Sequence, residues 1–199
     1  TMPGVQFTIL ESTCVPLPVE NIDTDQIIPA RYLTATSREG FGEKLFRDWR
    51  YKPDGKPDKE FVLNNPGYKG SVLVAGRNFG CGSSREHAVW ALYDYGFRAV
   101  ISSFFADIFK NNALNNGLLP VVIPPDTLEH LFMLVKKDPS MKIRIDLEHQ
   151  LLEIPKAGLA VRFDINPYKK ECLLKGLDDI DYLLSLKGEI ETFEKNKAK

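Results

Sequence analysis

The 199-residue sequence has no apolar run near the roughly 18–20 residues of a membrane span. It has no excess of charge either: the formal net charge is −1, which excludes the basic footprint of a nucleic-acid or anionic-membrane binder. Its first residues, Thr1-Met2-Pro3-Gly4, lack the charged start and apolar stretch of a secretory signal. Thr1, ahead of Met2, is set outside fold reasoning. Cysteine is scarce. Cys14, Cys81 and Cys172 are odd in number, far apart and form no C-x-x-C. That argues against a disulfide framework and against a zinc or iron–sulfur site within this chain, and it reads as reduced thiols in a cytoplasmic protein. No repeat and no low-complexity tract appears. What is present is ordinary: 43% hydrophobic and 27% charged residues, enough for a buried core without staples. At roughly 100–200 residues per domain, residues 1–199 are expected to form a single domain.

The chain reads as α/β. Residues 5–11 alternate as a first strand, and Asn21 to Ile28 opens a short helix through the polar turn Asp23-Thr24-Asp25. Residues 48–60 are rich in turn formers and charge and read as an exposed loop. Ser71–Ala75, Ala99–Ile101 and Leu118–Ile123 are short apolar runs, hence buried strands. They alternate with helices over Ser84–Tyr95, Phe105–Leu114 and Asp126–Lys137, the last capped by Asp126 or Thr127. This order predicts βαβ units and a parallel core. Lys142–Leu147, Gln150–Ile154 and Ala160–Ile165 then read as additional antiparallel strands covering a face or edge. Residues 168–199 form a helical extension, broken at Gly176 and Gly188 and frayed from Glu194.

The chemistry concentrates in Gly76–His87, Gly-Arg-Asn-Phe-Gly-Cys-Gly-Ser-Ser-Arg-Glu-His, between a strand and a helix start. Unpaired N–H groups there favour anions, glycines let backbone approach a ligand, and Arg85 offers a fork for a carboxylate. Familiar motifs fail. The G-x-G-x-x-G starting at Gly80 and Gly82 ends on Arg85, and there is no G-x-x-x-x-G-K-[ST] and no G-x-S-x-G at Ser83 or Ser84. From the residues alone two readings stay open, an anion site and a capping box in which Ser83 caps the helix while Glu86 bonds back. His87 in a first helical turn and Cys81 in the loop both read as structural.

These same residues carry a family resemblance. Gly80-Cys81-Gly82-Ser83-Ser84-Arg85-Glu86-His87-Ala88 resembles the G-x-G-S-S-R-E-H-A signature of the swivelling domain of the aconitase superfamily. Asn21–Pro29, Ser103–Asn112 and Asn116–Pro120 resemble three further blocks of that family, in the same order. Phe41-Gly42, Leu45-Phe46, Asp48-Trp49-Arg50 and Gly176-Leu177-Asp178 resemble the long bacterial small subunits of its isopropylmalate branch. The resemblance spans about residues 8–185. It implies the swivelling β/β/α domain of aconitase type, and a hydro-lyase that interconverts 2-isopropylmalate and 3-isopropylmalate in leucine biosynthesis. It further implies a partner large subunit holding a [4Fe-4S] cluster, with no cofactor or metal on this chain. Ser83 would be the base on the substrate C–H, and Ser84 and Arg85 would hold substrate carboxylate, with Gly80 and Gly82 shaping the loop and His87 supporting it. Leu33 would suit the isopropyl group, because an apolar wall rejects a charged analogue. Arg38 reads equally as a substrate contact or a solvated loop residue. Asp25 reads as orienting an arginine or as an Asx turn or N-cap. The alternatives are a small subunit for a related hydroxy acid (homoaconitate or methylmalate type), a non-catalytic binding module of the same fold, and a serine hydrolase drawing on His87, His130 or His149.

Overall fold

The structure, a computed structural model, describes residues 5–198. The readings made for residues 1–4 and for Lys199 lie outside them. The elements, in chain order, are β1 (Ile9–Ser12), β2 (Cys14–Leu17), α1 (Thr24–Ile27), α2 (Arg47–Arg50), β3 (Val72–Ala75), α3 (Glu86–Tyr95), β4 (Ala99–Ser102), α4 (Asp107–Asn115), β5 (Leu119–Val122), α5 (Pro125–Lys137), β6 (Ile143–Asp146), β7 (Leu151–Ile154), β8 (Leu159–Arg162), α6 (Pro167–Lys175) and α7 (Asp179–Lys197). Two four-stranded sheets result. One is parallel, in the order β2-β3-β4-β5. The other is antiparallel, in the order β1-β6-β7-β8.

The parallel strands follow one another without a reversal, so right-handed crossovers carry α3 and α4 to the same face. Side-chain alternation then divides the core. Leu73, Ala75 and Val100 pack with Ala88, Val89 and Leu92 of α3 and with Phe109 and Ala113 of α4. Val72, Val74, Ala99 and Ile101 point the other way, toward Leu128, Leu131 and Val135 of α5 and the Ile143, Ile145 and Leu152 face of the antiparallel sheet. All four residues of β3 and of β4 are buried, as expected of strands covered on both faces. The resulting layers, antiparallel sheet, parallel sheet and helices, are the expected β/β/α arrangement.

The chain changes sheets at Thr13, the single residue between β1 and β2. Gly70, at φ +133°, lies so close that a Cβ there would stand 2.0 Å from the Thr13 carbonyl oxygen. Ser12 Oγ donates to the Thr13 carbonyl at 2.7 Å and accepts from Ser71 N–H at 2.8 Å. The corner therefore holds the start of β3 to both sheets.

Several expectations are corrected. Residues 5–11 were read as one strand, whereas pairing begins at Ile9, and the short buried β2 escaped notice because Pro16 interrupts its pattern. The stretch 48–60 is not simply loop: α2 occupies its start, and Trp49 stacks on Phe46 with centroids 5.5 Å apart. α5 begins at Pro125, with neither Asp126 nor Thr127 as its cap, because a first-turn proline has no N–H to satisfy and a preset φ. Gly176 does end α6 in a left-handed conformation, but α7 runs through Gly188 and stays helical to Lys197.

Gly70→Ala should destabilise the fold by roughly 2–5 kcal/mol, combining backbone strain with a clash that side-chain rotation cannot relieve. Urea denaturation checks this, and an unchanged midpoint would show that the corner yields.

Candidate active site

Three segments meet past the carboxyl ends of the parallel strands, and they carry three of the sequence blocks; the fourth, Asn116–Pro120, leads into β5 instead. The loop after β3 runs between the loop after β2 and the loop after β4. On the first side Asn21 N–H donates to Arg77 O, Gly80 N–H to Ile22 O, and Thr24 N–H to Cys81 O, at 2.8–2.9 Å. On the second side Asn78 and Phe79 N–H both donate to Phe104 O, and Ala106 N–H returns to Phe79 O. Buried Ser102 ties the loop start, its Oγ 2.8 Å from Gly76 O. Gly80 takes φ +79° with its α-carbon against Phe109, where a Cβ would meet Cγ at 2.2 Å. Gly82 takes φ +92° beside Asp23 and Thr24. Both glycines therefore do the shaping expected of them.

α1 works as a jig for the reactive residues. It carries a capping box of its own: Asp23 Oδ1 accepts Gln26 N–H at 2.8 Å, and Gln26 Oε1 accepts Asp23 N–H at 3.0 Å. Thr24, nearly inaccessible, donates its hydroxyl to Ser83 O at 2.8 Å. Asp25 Oδ1 accepts both Arg85 Nη1 and Ala30 N–H at 3.0 Å, so it orients an arginine and closes a turn at once. Arg85 Nη1 also reaches Ile28 O at 3.4 Å. The Arg85 guanidinium, and after it the Ala30 N–H, hold the Asp25 carboxyl below its ordinary 3.8.

This arrangement removes one of the two readings of Ser83. The capping box predicted at Ser83–Glu86 does not form. Helix α3 starts at Glu86 rather than Ser84, with extended Arg85 as N-cap and no side chain on its first N–H groups. The Ser83 carbonyl, which a helix begun at Ser84 would turn to His87 N–H, is held by the Thr24 hydroxyl. Glu86 instead accepts from Asn116 Nδ2 at 2.9 Å. The Ser83 and Ser84 side chains are left exposed beside a half-buried Arg85.

The other candidates sit on the loop 30–39. Leu33 ends a short 3-10 turn, half-buried against the core under α3. Arg38 lies over the Trp90 ring, 5.0 Å from its centroid, at a cavity of about 190 Å³ that Glu39, Tyr93 and Asp94 also line. His87 Nε2 is 3.2 Å from Ala35 O, with its ring against Trp90 and Phe41. It tethers that loop to α3. His149 pairs with Asp146 in the antiparallel sheet, so neither of these histidines is a serine's base. Cys81 has its thiol pushed up by burial and then by Asp23, which keeps it protonated and packed. Burial alone takes Cys14 to about 12. The cysteines lie on β2, the loop and α6, and no three metal-ligating side chains converge among the described residues. These residues do not fit an iron–sulfur cluster. Sequence reasoning missed Thr24 and Ser102. Thr24 stood inside a quoted block, but nothing in the pattern showed that its hydroxyl turns to a carbonyl 59 residues away.

Residues 5–126 match the family model described as the aconitase C-terminal domain. The chain is 58% identical over 192 residues to the 3-isopropylmalate dehydratase small subunit of Christiangramia forsetii, covering 96% of this chain and 94% of that one. It is 57% identical over 190 residues to that of Cytophaga hutchinsonii, with the same coverage. The crystal structure of 3-isopropylmalate dehydratase from Methanocaldococcus jannaschii matches with a TM-score of 0.66 at 30% identity, over 94% of this chain and 99% of that one. With that identity running across β2, the serine loop and the strands beyond it, the chain belongs to the aconitase C-terminal domain family and, within it, to the 3-isopropylmalate dehydratase small subunits.

Proposed function

We propose that this chain supplies one wall of a hydro-lyase site that isomerises 2-isopropylmalate and 3-isopropylmalate in leucine biosynthesis. The observation that carries it is the Ser83-Ser84-Arg85 triplet, its serines exposed and its Ser83 carbonyl and Arg85 guanidinium held by α1, in a chain so close to curated small subunits. Ser83 Oγ takes the proton from the substrate C–H. A serine hydroxyl is a poor base, and it acts here because Arg85 and the uncapped N–H groups of α3 favour negative charge beside it. Ser84 and Arg85 hold a substrate carboxylate, and the same donors steady the charge that develops as the proton leaves. Leu33 presents the apolar wall and Arg38 flanks it from Trp90. The partner is an iron–sulfur large subunit, whose [4Fe-4S] cluster supplies Lewis-acid chemistry at the departing hydroxyl. The assembly works in the cytoplasm, and no helix among the described residues is long and apolar enough to cross a membrane.

The direct test mixes this chain with the anaerobically prepared large subunit and follows the unsaturated intermediate by ultraviolet absorbance. Turnover by the pair and none by either alone is expected. Full activity of this chain alone, or none of the pair, would overturn the reading. Ser83→Ala should lower kcat by about 10²–10⁴-fold with the subunits still associated, and near-normal turnover would remove Ser83 from its role.

Thr24→Val should lower kcat by roughly ten- to a hundredfold with a small change in KM, since a shifted loop misplaces the base. Thr24→Ser, which keeps the hydroxyl, should restore it. Equal losses in both variants would mean that Thr24 only packs.

Asp25 has a folded pKa below its unfolded value. Its hold on Arg85 is therefore fully present above the ordinary 3.8 and is lost as pH falls through the lower folded value. Carbon-13 NMR of the Asp25 carboxyl should show no titration between about pH 5 and 8, and a midpoint in that window would contradict the arrangement. Asp25→Asn should raise KM through a loosened Arg85.

A further inference from the structure

Two exposed apolar groups of side chains stand out, and they lie in different places. Along α7, Ile180, Leu183, Leu184, Ile190 and Phe193 are each about 60% exposed or more. The other group borders the serine loop. Val19 is 40% exposed just past β2, Phe104 47% just past β4, and Ile108 53% in the first turn of α4. Between the two strand ends Arg77 sets its guanidinium 5.6 Å from the Phe104 ring centroid.

We infer that the Val19–Arg77–Phe104–Ile108 rim is the surface on which the large subunit docks, with Phe104 and Ile108 as its apolar anchors. The inference rests on the reading of this chain as one wall of a shared site. Its occupant follows from position. Val19 O accepts Gly76 N–H, and Phe104 O accepts Asn78 and Phe79 N–H, so the rim is bonded directly to the loop that presents Ser83. A partner that completes the site must reach this loop, and in doing so it covers the rim. An aromatic residue with an arginine on its face is the composition of an interface anchor rather than of a solvated loop. Arg77 asks for a carboxylate or carbonyl cluster on the partner, and Phe104 and Ile108 for an apolar pocket beside it.

α7 does not share that position. It follows α6, whose Lys169 ammonium bonds Asn115 at the far end of α4. That end precedes β5 and so lies at the amino ends of the parallel strands, whereas the rim lies past their carboxyl ends. α7 therefore serves as the internal comparison.

The test measures association with the 3-isopropylmalate dehydratase large subunit of the same organism, by analytical ultracentrifugation under anaerobic conditions. Phe104→Ser with Ile108→Ser removes two side chains that are about half exposed, and circular dichroism checks that the fold persists. The double variant should weaken Kd by about tenfold or more. Its kcat should return to near the wild-type value when the small subunit is titrated to excess. Ser83→Ala should show the opposite split, with Kd kept and kcat lost. Wild-type affinity in the double variant would overturn the inference. So would a loss that appears in Leu183→Ser with Ile190→Ser on α7 and not at the rim. Association of the wild-type pair without isopropylmalate turnover would remove the functional reading and still report on the rim, so the two failures are distinguishable.

Discussion

One hydroxyl bonded to one carbonyl sets the geometry of the site. Thr24 Oγ1 holds the Ser83 carbonyl at 2.8 Å, and α3 begins only at Glu86. Without that bond the Ser83-Ser84-Arg85-Glu86 segment has every local reason to continue as helix, with serine and glutamate in the right places for a reciprocal cap. A capping Ser83 would spend its hydroxyl on a backbone N–H. In the structure the helix starts two residues later, Arg85 is drawn onto Asp25, and Glu86 is drawn onto Asn116. Local propensity loses to a tertiary contact between residues far apart in sequence.

The jig is itself supported from below. α1 is only four residues long, too short to persist by propensity alone. It is held by the Asp23–Gln26 box, by the bond of Phe46 N–H to Ile27 O, and by the buried side chains of Ile22, Ile27 and Ile28. Those isoleucines share the core under α3 with Leu73, Ala75 and Leu92. The placement of Ser83 is thus a consequence of core packing carried through α1 into one buried threonine.

The parallel core and the later antiparallel strands were legible in the sequence, and the order of strands within each sheet was not. Val72–Ala75 and Ala99–Ile101 are short apolar runs, each followed by glycine or serine, as covered strands are. β2 was not legible, since Pro16 breaks the pattern and the corner at Thr13 leaves no turn residues to mark it. Of the site, Gly80, Gly82, Ser83 and Arg85 could be read as one segment, and Asp25 as a partner for an arginine. From residue type Asp25 could orient an arginine or form an Asx turn or N-cap; its Oδ1 accepts from Arg85 Nη1 and from Ala30 N–H five residues on, while the cap of α1 is Asp23. Thr24 was invisible, because a threonine in a polar turn carries no sign of what its hydroxyl faces. The Ser83–Glu86 pattern pointed the wrong way for a good physical reason: these residue types suit a reciprocal cap, and only contacts from Thr24 and Asn116 give them other partners.

The exposure of Ser83 and Ser84 is informative in the same terms. A charge-stabilising site in open water gains little, because solvent screens the dipoles and guanidinium that would steady a developing anion. The chain has fixed the positions of its donors but has not excluded water from them. The Asp25–Arg85 pair illustrates this, with the carboxylate side chain 63% exposed and the arginine 17%. Such a wall becomes effective when a second surface closes over it, lowers the local dielectric and brings the acid that the chain's own residues cannot form. The rim of Val19, Phe104 and Ile108 is apolar where that closure must seal, and the loop behind it is bonded to both neighbouring strands. Rigidity in this chain and dryness from its partner are therefore separate contributions, and the sequence places only the first of them in this subunit.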